Sequence, residues 1–171
     1  MRRVRYSVAV SLDGFIAGPN GEIDWIVTDP EVDFRARMQE FDTLLVGRAT
    51  YELMRSQGRT TMPGMKTIVF SRTLQAVDGK DVTLSRTPAE TVAALQARPG
   101  KDLWLFGGGS LFRSLLDLGL VDTVELAVIP TLLGAGVPVL PGGAAAELRL
   151  TSHRVYEKTG TVALSYTVAR S

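Results

Sequence analysis

Short apolar segments alternate with helix-opening signals along this chain, and that alternation limits its possible folds more than any other feature. It predicts strands at residues 4–10, 43–46, 66–70, 81–84, 102–106 and 122–129, and helices at residues 30–40, 50–55, 88–98 and 111–118. Two further strands, 148–156 and 161–168, flank Lys158-Thr159-Gly160 as in a hairpin. This order predicts one α/β domain over residues 1–171, with a mostly parallel sheet and an antiparallel C-terminal hairpin.

The two clearest helix openings combine a capping side chain with a proline. Asp29 can cap a helix in which Pro30 takes the first position, and Thr87-Pro88 opens a later helix in the same way. The apolar stripe of the first helix would consist of Phe34, Met38 and Phe41.

Composition and charge exclude several classes of function. The chain has 19 basic and 18 acidic residues, a net charge of +1, and so lacks the basic face that a nucleic-acid partner usually needs. It has no cysteine and one histidine, His153, which excludes disulfides and leaves no reason to expect a metal. The least polar segment, residues 124–146, contains Glu125 and three prolines and cannot be a membrane-spanning helix. We expect a cytoplasmic protein with no membrane or nucleic-acid partner.

Three turns that follow predicted strands suit anion binding. Gly107-Gly108-Gly109-Ser110 precedes a helix, so its glycines allow close approach and the helix amides can hold a pyrophosphate. Gly47-Arg48 and Ser71-Arg72 place a guanidinium directly after a strand, where it can bind a phosphate. Because ligands bind at the carboxyl ends of strands in α/β sheets, the three turns should lie together. Taken singly, they could equally be a tight turn capped by Ser110 and exposed loop arginines.

These turns, in this order and over nearly the whole chain, resemble the dihydrofolate reductase superfamily. Gly47-Arg48-Ala49-Thr50-Tyr51-Glu52 is similar to its Gly-Arg-x-Thr-Trp-Glu motif, residues 68–72 to the following strand and its phosphate-binding end, and residues 107–109 to its glycine turn. Residues 11–17, Ser-Leu-Asp-Gly-Phe-Ile-Ala, are similar to the start of its mobile active-site loop. Residues 130–136, Pro-Thr-Leu-Leu-Gly-Ala-Gly, followed by Pro138, resemble the riboflavin-pathway reductase branch and its uncharacterised single-domain relatives.

The resemblance implies a three-layer dihydrofolate reductase-like fold and hydride transfer from NADPH to a small heterocyclic or carbonyl substrate. Arg48, Ser71 and Arg72 would hold the adenosine 2′-phosphate, with Thr50 near the pyrophosphate. The rest of the implied cofactor site is Ala9, Leu12, Ile16, Gly47, Gly107, Gly108, Gly109, Ser110 and Leu111. The implied substrate site is Asp13, Trp25 and Asp33, and Asp33 would also be the catalytic residue.

Several alternatives stay open beside this resemblance. Folate reductases bind the pterin ring with a carboxylate on the first helix, but Asp33 and Arg37, spaced i, i+4, could simply pair on a solvated face. Trp25 could wall the substrate pocket or close the core. Folate is disfavoured, because Met65 follows Pro63-Gly64 where folate reductases have an arginine for the tail carboxylate.

Two other classes of function also fit the residues. The chain could bind NADP(H) or a small molecule without catalysis, or it could be a flavodoxin-like or Rossmann-like domain for FMN or NAD, which would not need Arg48 and Arg72. For assembly we expect a homodimer, because the apolar residues 124–139 form too adhesive a segment for a solvated sheet edge. The riboflavin-branch resemblance implies the same.

Overall fold

The computed structural model of the protein describes residues 1–169, and over these it has ten strands and four helices. In chain order they are β1 (Val4–Ser11), β2 (Phe15–Ala17), α1 (Phe34–Met38), β3 (Phe41–Gly47), α2 (Arg48–Ser56), β4 (Lys66–Phe70), β5 (Val82–Ser85), α3 (Pro88–Gln96), β6 (Asp102–Gly107), α4 (Gly109–Asp117), β7 (Thr123–Ile129), β8 (Val137–Pro138), β9 (Leu148–Tyr156) and β10 (Thr161–Val168). No helix within residues 1–169 is long and apolar enough to cross a membrane.

Eight strands form one sheet in the order β5-β4-β3-β6-β1-β7-β10-β9, and β2 pairs with β8 in a separate two-stranded ladder. The strands from β5 to β7 in that order are parallel to their neighbours, whereas β10 is antiparallel to both β7 and β9. β3 and β4 are almost continuously buried and apolar, as strands covered on both faces should be. The predicted parallel sheet with an antiparallel hairpin is therefore confirmed.

Helices cover both faces of the sheet and make three layers. On one face, α3 and α4 supply Val92, Leu111, Phe112 and Leu115 to a core cluster, and the ring of Phe112 stacks on Tyr6 of β1. On the other face, α2 supplies Tyr51 and Met54, and α1 adds Met38, to a second cluster around Trp104. The expectation that Trp104 belongs to the core is confirmed, since it is 3% exposed.

The first helix begins later and is shorter than the sequence pattern predicts. Asp33, not Asp29, is its N-cap, and α1 has five residues. Asp29 is buried, and its carboxylate accepts hydrogen bonds from the Glu31 amide (2.9 Å) and the Thr159 hydroxyl (2.8 Å). It therefore ties the loop before α1 to the β9–β10 turn, and its bond to the Glu31 amide caps only a single turn at residues 30–31.

Phe41 was predicted on the stripe of that first helix, and this was wrong. It is the first residue of β3, and its ring stacks on Trp104 with 4.9 Å between centroids. Because α1 ends at Met38, Phe41 contacts Trp104 from the neighbouring strand and not from a helix packed on the sheet.

Two other helices begin earlier than predicted. Gly47 is the N-cap of α2 and Gly108 that of α4, and neither cap makes a side-chain hydrogen bond. Thr50 and Ser110 therefore lie inside the first turns, so the alternative in which they serve as plain caps is wrong. Both helix N-termini instead start directly at the ends of β3 and β6.

Of the apolar residues 124–139 expected at a sheet edge, those in β7 lie inside the sheet, because β7 is flanked by β1 and β10, and residues 130–139 follow β7 outside that sheet. The sheet ends at β5 on one side and at β9 on the other, and β9 is exposed along nearly its whole length. Its register with β10 places apolar side chains on one face of the hairpin, which we call the apolar sheet face. It consists of Leu148, Leu150 and Val155 of β9 and Val162, Leu164, Tyr166 and Val168 of β10, and His153, which pairs with Leu164, lies on the same face.

Candidate functional site

The three predicted anion-binding turns come together at the carboxyl edge of the parallel strands. The register pairs Val46 with Gly107 and Gly47 with Phe70, so the ends of β6, β3 and β4 are adjacent. Each is followed by one of the three turns. Sequence reasoning thus predicted this neighbourhood correctly without knowing the order of the strands.

The glycine turn is tightly packed at Gly107. A Cβ atom on Gly107 would lie 3.0 Å from the Thr50 hydroxyl oxygen, whereas one on Gly47 would make ordinary contacts, 3.8 Å from the Leu111 Cβ and 3.9 Å from the Gly108 nitrogen. The peptide bond between Gly107 and Gly108 is cis. The N-termini of α2 and α4, nine residues each, start side by side at this edge, since β3 and β6 are neighbours. Their unpaired amides and dipoles favour an anionic ligand.

Arg48 and the loop after β4 are in direct contact. The Arg48 guanidinium donates to the Thr73 hydroxyl and to the Glu52 carboxylate, each at 2.9 Å. The Ser71 hydroxyl accepts the amides of Thr73 (3.2 Å) and Leu74 (3.1 Å), which fixes the turn of this loop. Arg72, between them, is exposed, and no carboxylate of residues 1–169 pairs with it. The edge thus carries two guanidiniums and hydroxyl groups that suit a phosphate.

A third arginine at this edge was missed by sequence reasoning. Strand β5 lies beside β4, and the Ser71 amide donates to the Ser85 carbonyl at 3.2 Å. This brings Arg86 alongside, where its guanidinium donates to the Leu74 carbonyl at 2.8 Å. A signal for it exists, since Ser71-Arg72-Thr73 recurs as Ser85-Arg86-Thr87 after the next strand. That repeat becomes meaningful only once the two strands are known to be neighbours.

The loop resembling the mobile active-site loop closes the other side of the edge. Ala9 near the end of β1 and Ile16 in β2 are half-buried, and Leu12 is 66% exposed. The Leu12 amide donates to the Thr131 carbonyl at 2.9 Å, so this loop rests on the chain that follows β7.

Asp13, predicted to contact substrate, has both carboxylate oxygens engaged within the protein. They accept hydrogen bonds from the Ser11 hydroxyl (2.6 Å) and from the amides of Leu133 (3.1 Å) and Gly134 (2.7 Å). The Ser11 hydroxyl, followed by the Gly134 amide, holds the pKa of Asp13 below its ordinary value. Asp13 is therefore ionised and acts within the protein as an acceptor of hydrogen bonds.

The structure places the other two predicted substrate residues in local roles. Asp33 is exposed, and its carboxylate accepts the Ala36 amide at 2.9 Å as the cap of α1. Asp33 was expected inside the helix, but it is the residue that precedes the first helical residue. Its catalytic role stays a prediction. Trp25 is half-buried, and its indole donates to the Glu22 carbonyl at 3.0 Å.

Arg37 does not pair with Asp33, as the simpler alternative had it, but belongs to a buried ion cluster beneath α1. Its guanidinium donates to Glu125 and, at 2.8 Å, to the Ser7 hydroxyl. Arg5, 6% exposed, donates to both oxygens of Glu125 at 2.8 and 3.1 Å. Burial would raise the pKa of Glu125, but the hydrogen bond from Arg5 and the charges of Arg37 and Arg5 outweigh it and hold that pKa below its usual value. Glu125 is thus a paired structural carboxylate.

Three layers, a glycine turn and arginine-bearing strand ends at one sheet edge define a dihydrofolate reductase-like α/β domain. Within that class, the chain belongs to the RibD C-terminal domain family, whose model matches residues 2–162. This confirms the family suggested by the sequence motifs.

Two relatives show how sequence similarity is distributed within the family. The uncharacterized protein YyaP of Bacillus subtilis is 37% identical over 150 residues, which cover 81% of this chain and 80% of YyaP. The riboflavin biosynthesis protein RibD of Corynebacterium ammoniagenes is 25% identical over 153 residues, which cover 80% of this chain and 45% of RibD. The matched region thus spans 80% of YyaP and less than half of RibD.

Solved structures confirm the fold. A provisionally named riboflavin biosynthesis protein from Shewanella sp. PV-4 matches with a TM-score of 0.84 and 26% identity over 99% of this chain and all of that one. The Thermotoga maritima deaminase and 5-amino-6-(5-phosphoribosylamino)uracil reductase matches at 0.72 and 18%, over 98% and 57% of the two chains. Enterococcus faecalis dihydrofolate reductase matches at 0.71 and 21%, over 98% and 97%. These matches, together with the strand order, exclude a flavodoxin-like or Rossmann-like fold.

Proposed function

We propose that this protein is a reductase that transfers a hydride from NADPH to a small heterocyclic substrate, pyrimidine-like or pterin-like, or to a small carbonyl compound. The observation that carries the proposal is the meeting of the glycine turn with Arg48, Ser71 and Arg72 at one sheet edge. The names of two neighbours in fold, a uracil-derivative reductase and a dihydrofolate reductase complexed with NADP(H), support the same chemistry.

The residues at this edge fit the cofactor. Arg48, Arg72 and Ser71 would hold the 2′-phosphate, joined by Arg86 from the neighbouring strand end. Residues 108–111 would face the pyrophosphate. A side chain on Gly107 would meet the Thr50 hydroxyl and narrow the ligand's approach to these residues. Ala9, Leu12 and Ile16 would border the nicotinamide. When bound, NADPH supplies the hydride, and the protein contributes binding, orientation and the exclusion of water.

Folate is not the substrate we propose. Met65, at the position where folate reductases place an arginine, is 4% exposed and packs in the core cluster around Trp104. A buried thioether cannot hold the carboxylates of a folate tail. We therefore propose a smaller ring without that tail.

Titration of the protein with NADPH and NADH, followed by tryptophan fluorescence and confirmed by calorimetry, tests the proposal. We expect NADPH to bind at least about tenfold more tightly, a difference of about 1.4 kcal/mol. Equal affinity for the two nucleotides would remove the phosphate site. Absence of binding to a folded sample would remove the reductase proposal altogether.

One observation favours a second candidate, a protein that binds NADP(H) without catalysis. Three acids near or beneath the expected cleft are engaged within the protein: Asp13 by three hydrogen bonds, Glu125 by two arginines and Asp33 by the helix it caps. Hydride transfer needs geometry more than a dedicated acid, so the reductase stays the first choice. Oxidation of NADPH, monitored at 340 nm with a panel of pyrimidines, pterins and carbonyl compounds, separates the two, since a binding protein would oxidise none of them.

We also propose that the protein assembles as a homodimer, through the apolar sheet face rather than through residues 124–139 as first expected. That face continues the sheet beyond the helices, because α4 packs on β1, β3 and β6 whereas β9 packs chiefly on β10. Leu150 and Val155 are 49% and 56% exposed on it. A second copy presents the same flat face to it about a two-fold axis, which makes it a self-complementary occupant.

A further inference from the structure

Two loops that are far apart in sequence meet on the carboxylate of Asp13. The 12–17 loop, residues 12–17, follows β1, and the 131–141 segment, residues 131–141, follows β7. Asp13 Oδ1 accepts from the Ser11 hydroxyl and the Leu133 amide, and Oδ2 accepts from the Gly134 amide at 2.7 Å. Each oxygen thus bonds a backbone amide of the opposite loop.

Backbone contacts continue this junction on both sides of Asp13. The Leu12 amide donates to the Thr131 carbonyl and the Val139 amide to the Gly14 carbonyl, each at 2.9 Å. Between them, β2 pairs with β8. Gly136 lies so close that a Cβ atom on it would overlap the Ala17 carbonyl oxygen. The 12–17 loop therefore cannot move away from the sheet edge without breaking its bonds to the 131–141 segment.

The far end of the 131–141 segment rests on α4. A Cβ atom on Gly109 would lie 2.6 Å from the Pro138 carbonyl oxygen, and the Tyr6 hydroxyl donates to the Val139 carbonyl at 3.1 Å. One connected path thus runs from the 12–17 loop to the first turn of α4. Under the proposed function, these two places border the nicotinamide and the pyrophosphate of one cofactor molecule.

We propose that Asp13 is a positioning residue, whose carboxylate clamps the 12–17 loop to the 131–141 segment. The clamp keeps the part of the loop that would border the nicotinamide in place relative to the glycine turn. The role rests on the proposed function, while the clamp itself does not. Both oxygens already accept hydrogen bonds from the protein, and such bonds stabilise the ionised form of the acid. Asp13 therefore acts through the loops and is not the proton donor to substrate.

Two substitutions separate positioning from chemistry. Asp13→Asn removes the charge and presents an N–H group to at least one amide donor, whereas Gly136→Ala opens the same junction and leaves the carboxylate in place. We expect both to raise the KM for NADPH about tenfold to a hundredfold, in line with the loss of hydrogen bonds to a charged group, and to leave the shape of the pH–rate profile unchanged. Gly142→Ala and Glu157→Gln serve as matched controls, since Gly142 faces open space and Glu157 is an exposed turn residue.

Amide hydrogen exchange of the protein without ligands tests the clamp independently of catalysis. Exchange at Leu133 and Gly134 should be at least tenfold faster in Asp13→Asn than in the wild type and in Glu157→Gln. Unchanged exchange would overturn the proposal, and so would an Asp13→Asn enzyme with normal NADPH KM that has lost turnover and one limb of its pH–rate profile. If Gly136→Ala does not fold, the exchange result for Asp13→Asn decides. Faster exchange in a protein that binds no NADPH would leave the clamp standing and the proposed function refuted.

Discussion

At the scale of single residues, Arg48 and Arg72 differ in how many partners their guanidinium groups have within the protein. Arg48 donates to Glu52 and Thr73, whereas Arg72 is exposed with no carboxylate partner within residues 1–169. We therefore expect Arg72→Ala to weaken NADPH binding about tenfold, about 1.4 kcal/mol, and Arg48→Ala by less. Calorimetric titration measures both, and NADH affinity should stay the same in each variant.

Arg98→Ala is a suitable control, because Arg98 is also an exposed arginine but follows α3 at the opposite edge of the sheet. It should bind both nucleotides like the wild type. An Arg72→Ala protein that loses NADPH and NADH affinity equally would contradict a role in binding the 2′-phosphate.

How far the site could be predicted also depends on the residue. Gly47, Arg48, Ser71 and Gly107 stand directly at strand ends, so strand prediction alone placed them at one edge. Asp13 could not be placed in this way, because its partners Leu133 and Gly134 are about 120 residues away and belong to a loop. A carboxylate that binds backbone amides leaves no pattern in the sequence.

At the scale of elements, the start of α4 depends on the absence of a side chain at Gly109. Because a Cβ atom there would lie 2.6 Å from the Pro138 carbonyl oxygen and 3.1 Å from Pro141, the backbone itself would have to move. We expect Gly109→Ala to lower the free energy of unfolding by about 1–3 kcal/mol, as overpacked substitutions do. Urea unfolding measures it.

Gly142→Ala provides the comparison for that measurement. Nothing lies within 4 Å of the Cβ position of Gly142, so its free energy of unfolding should stay within about 0.5 kcal/mol of the wild type. Equal stability of the two variants would show that the 131–141 segment moves freely away from α4.

The elements that the sequence predicts well are those with a buried, continuous pattern. β4, β9 and β10 have the predicted bounds, because strand apolarity or a hairpin turn marks their ends. β2 and β8 went unpredicted, since strands of three and two residues carry no periodicity. α1 was placed too early because Asp29 makes a tertiary hydrogen bond to Thr159, a contact 130 residues away that capping rules do not contain.

At the scale of the whole molecule, the ion cluster of Arg5, Arg37 and Glu125 joins β1, α1 and β7. Glu125→Gln would remove one of the carboxylates paired with buried Arg5, while Glu40 and Asp102 still contact it, and we expect it to cost about 1–3 kcal/mol of stability at neutral pH. Equilibrium urea unfolding measures this, and Glu157→Gln, an exposed carboxylate, should show no such loss. A loss below 1 kcal/mol would mean that the cluster is well solvated.

The same cluster predicts how stability responds to acid. The pKa of Glu125 lies below its ordinary value of 4.5, so its contribution is complete above about pH 4.5 and declines as the pH falls through the lowered pKa. Unfolding free energies measured from neutral pH to pH 3 should therefore fall less steeply for Glu125→Gln than for the wild type. Parallel curves for the two proteins would contradict a lowered pKa for Glu125.

The apolar sheet face determines what we expect of the assembly. Leu150 and Val155 stand on an edge strand that a monomer would leave exposed, and long apolar edges are avoided in soluble monomers because they promote association. We expect sedimentation velocity to give twice the chain mass of 18.5 kDa for the wild type. Leu150→Lys combined with Val155→Lys should give the monomer, because four like charges per dimer would then face each other without solvent. Lysines at Ser152 and Arg154, which the register places on the opposite face of the same strand, form the matched control and should leave the dimer intact. If the wild type sediments as a monomer, the dimer proposal is wrong. The apolar sheet face is then covered by a different partner or stays exposed to water.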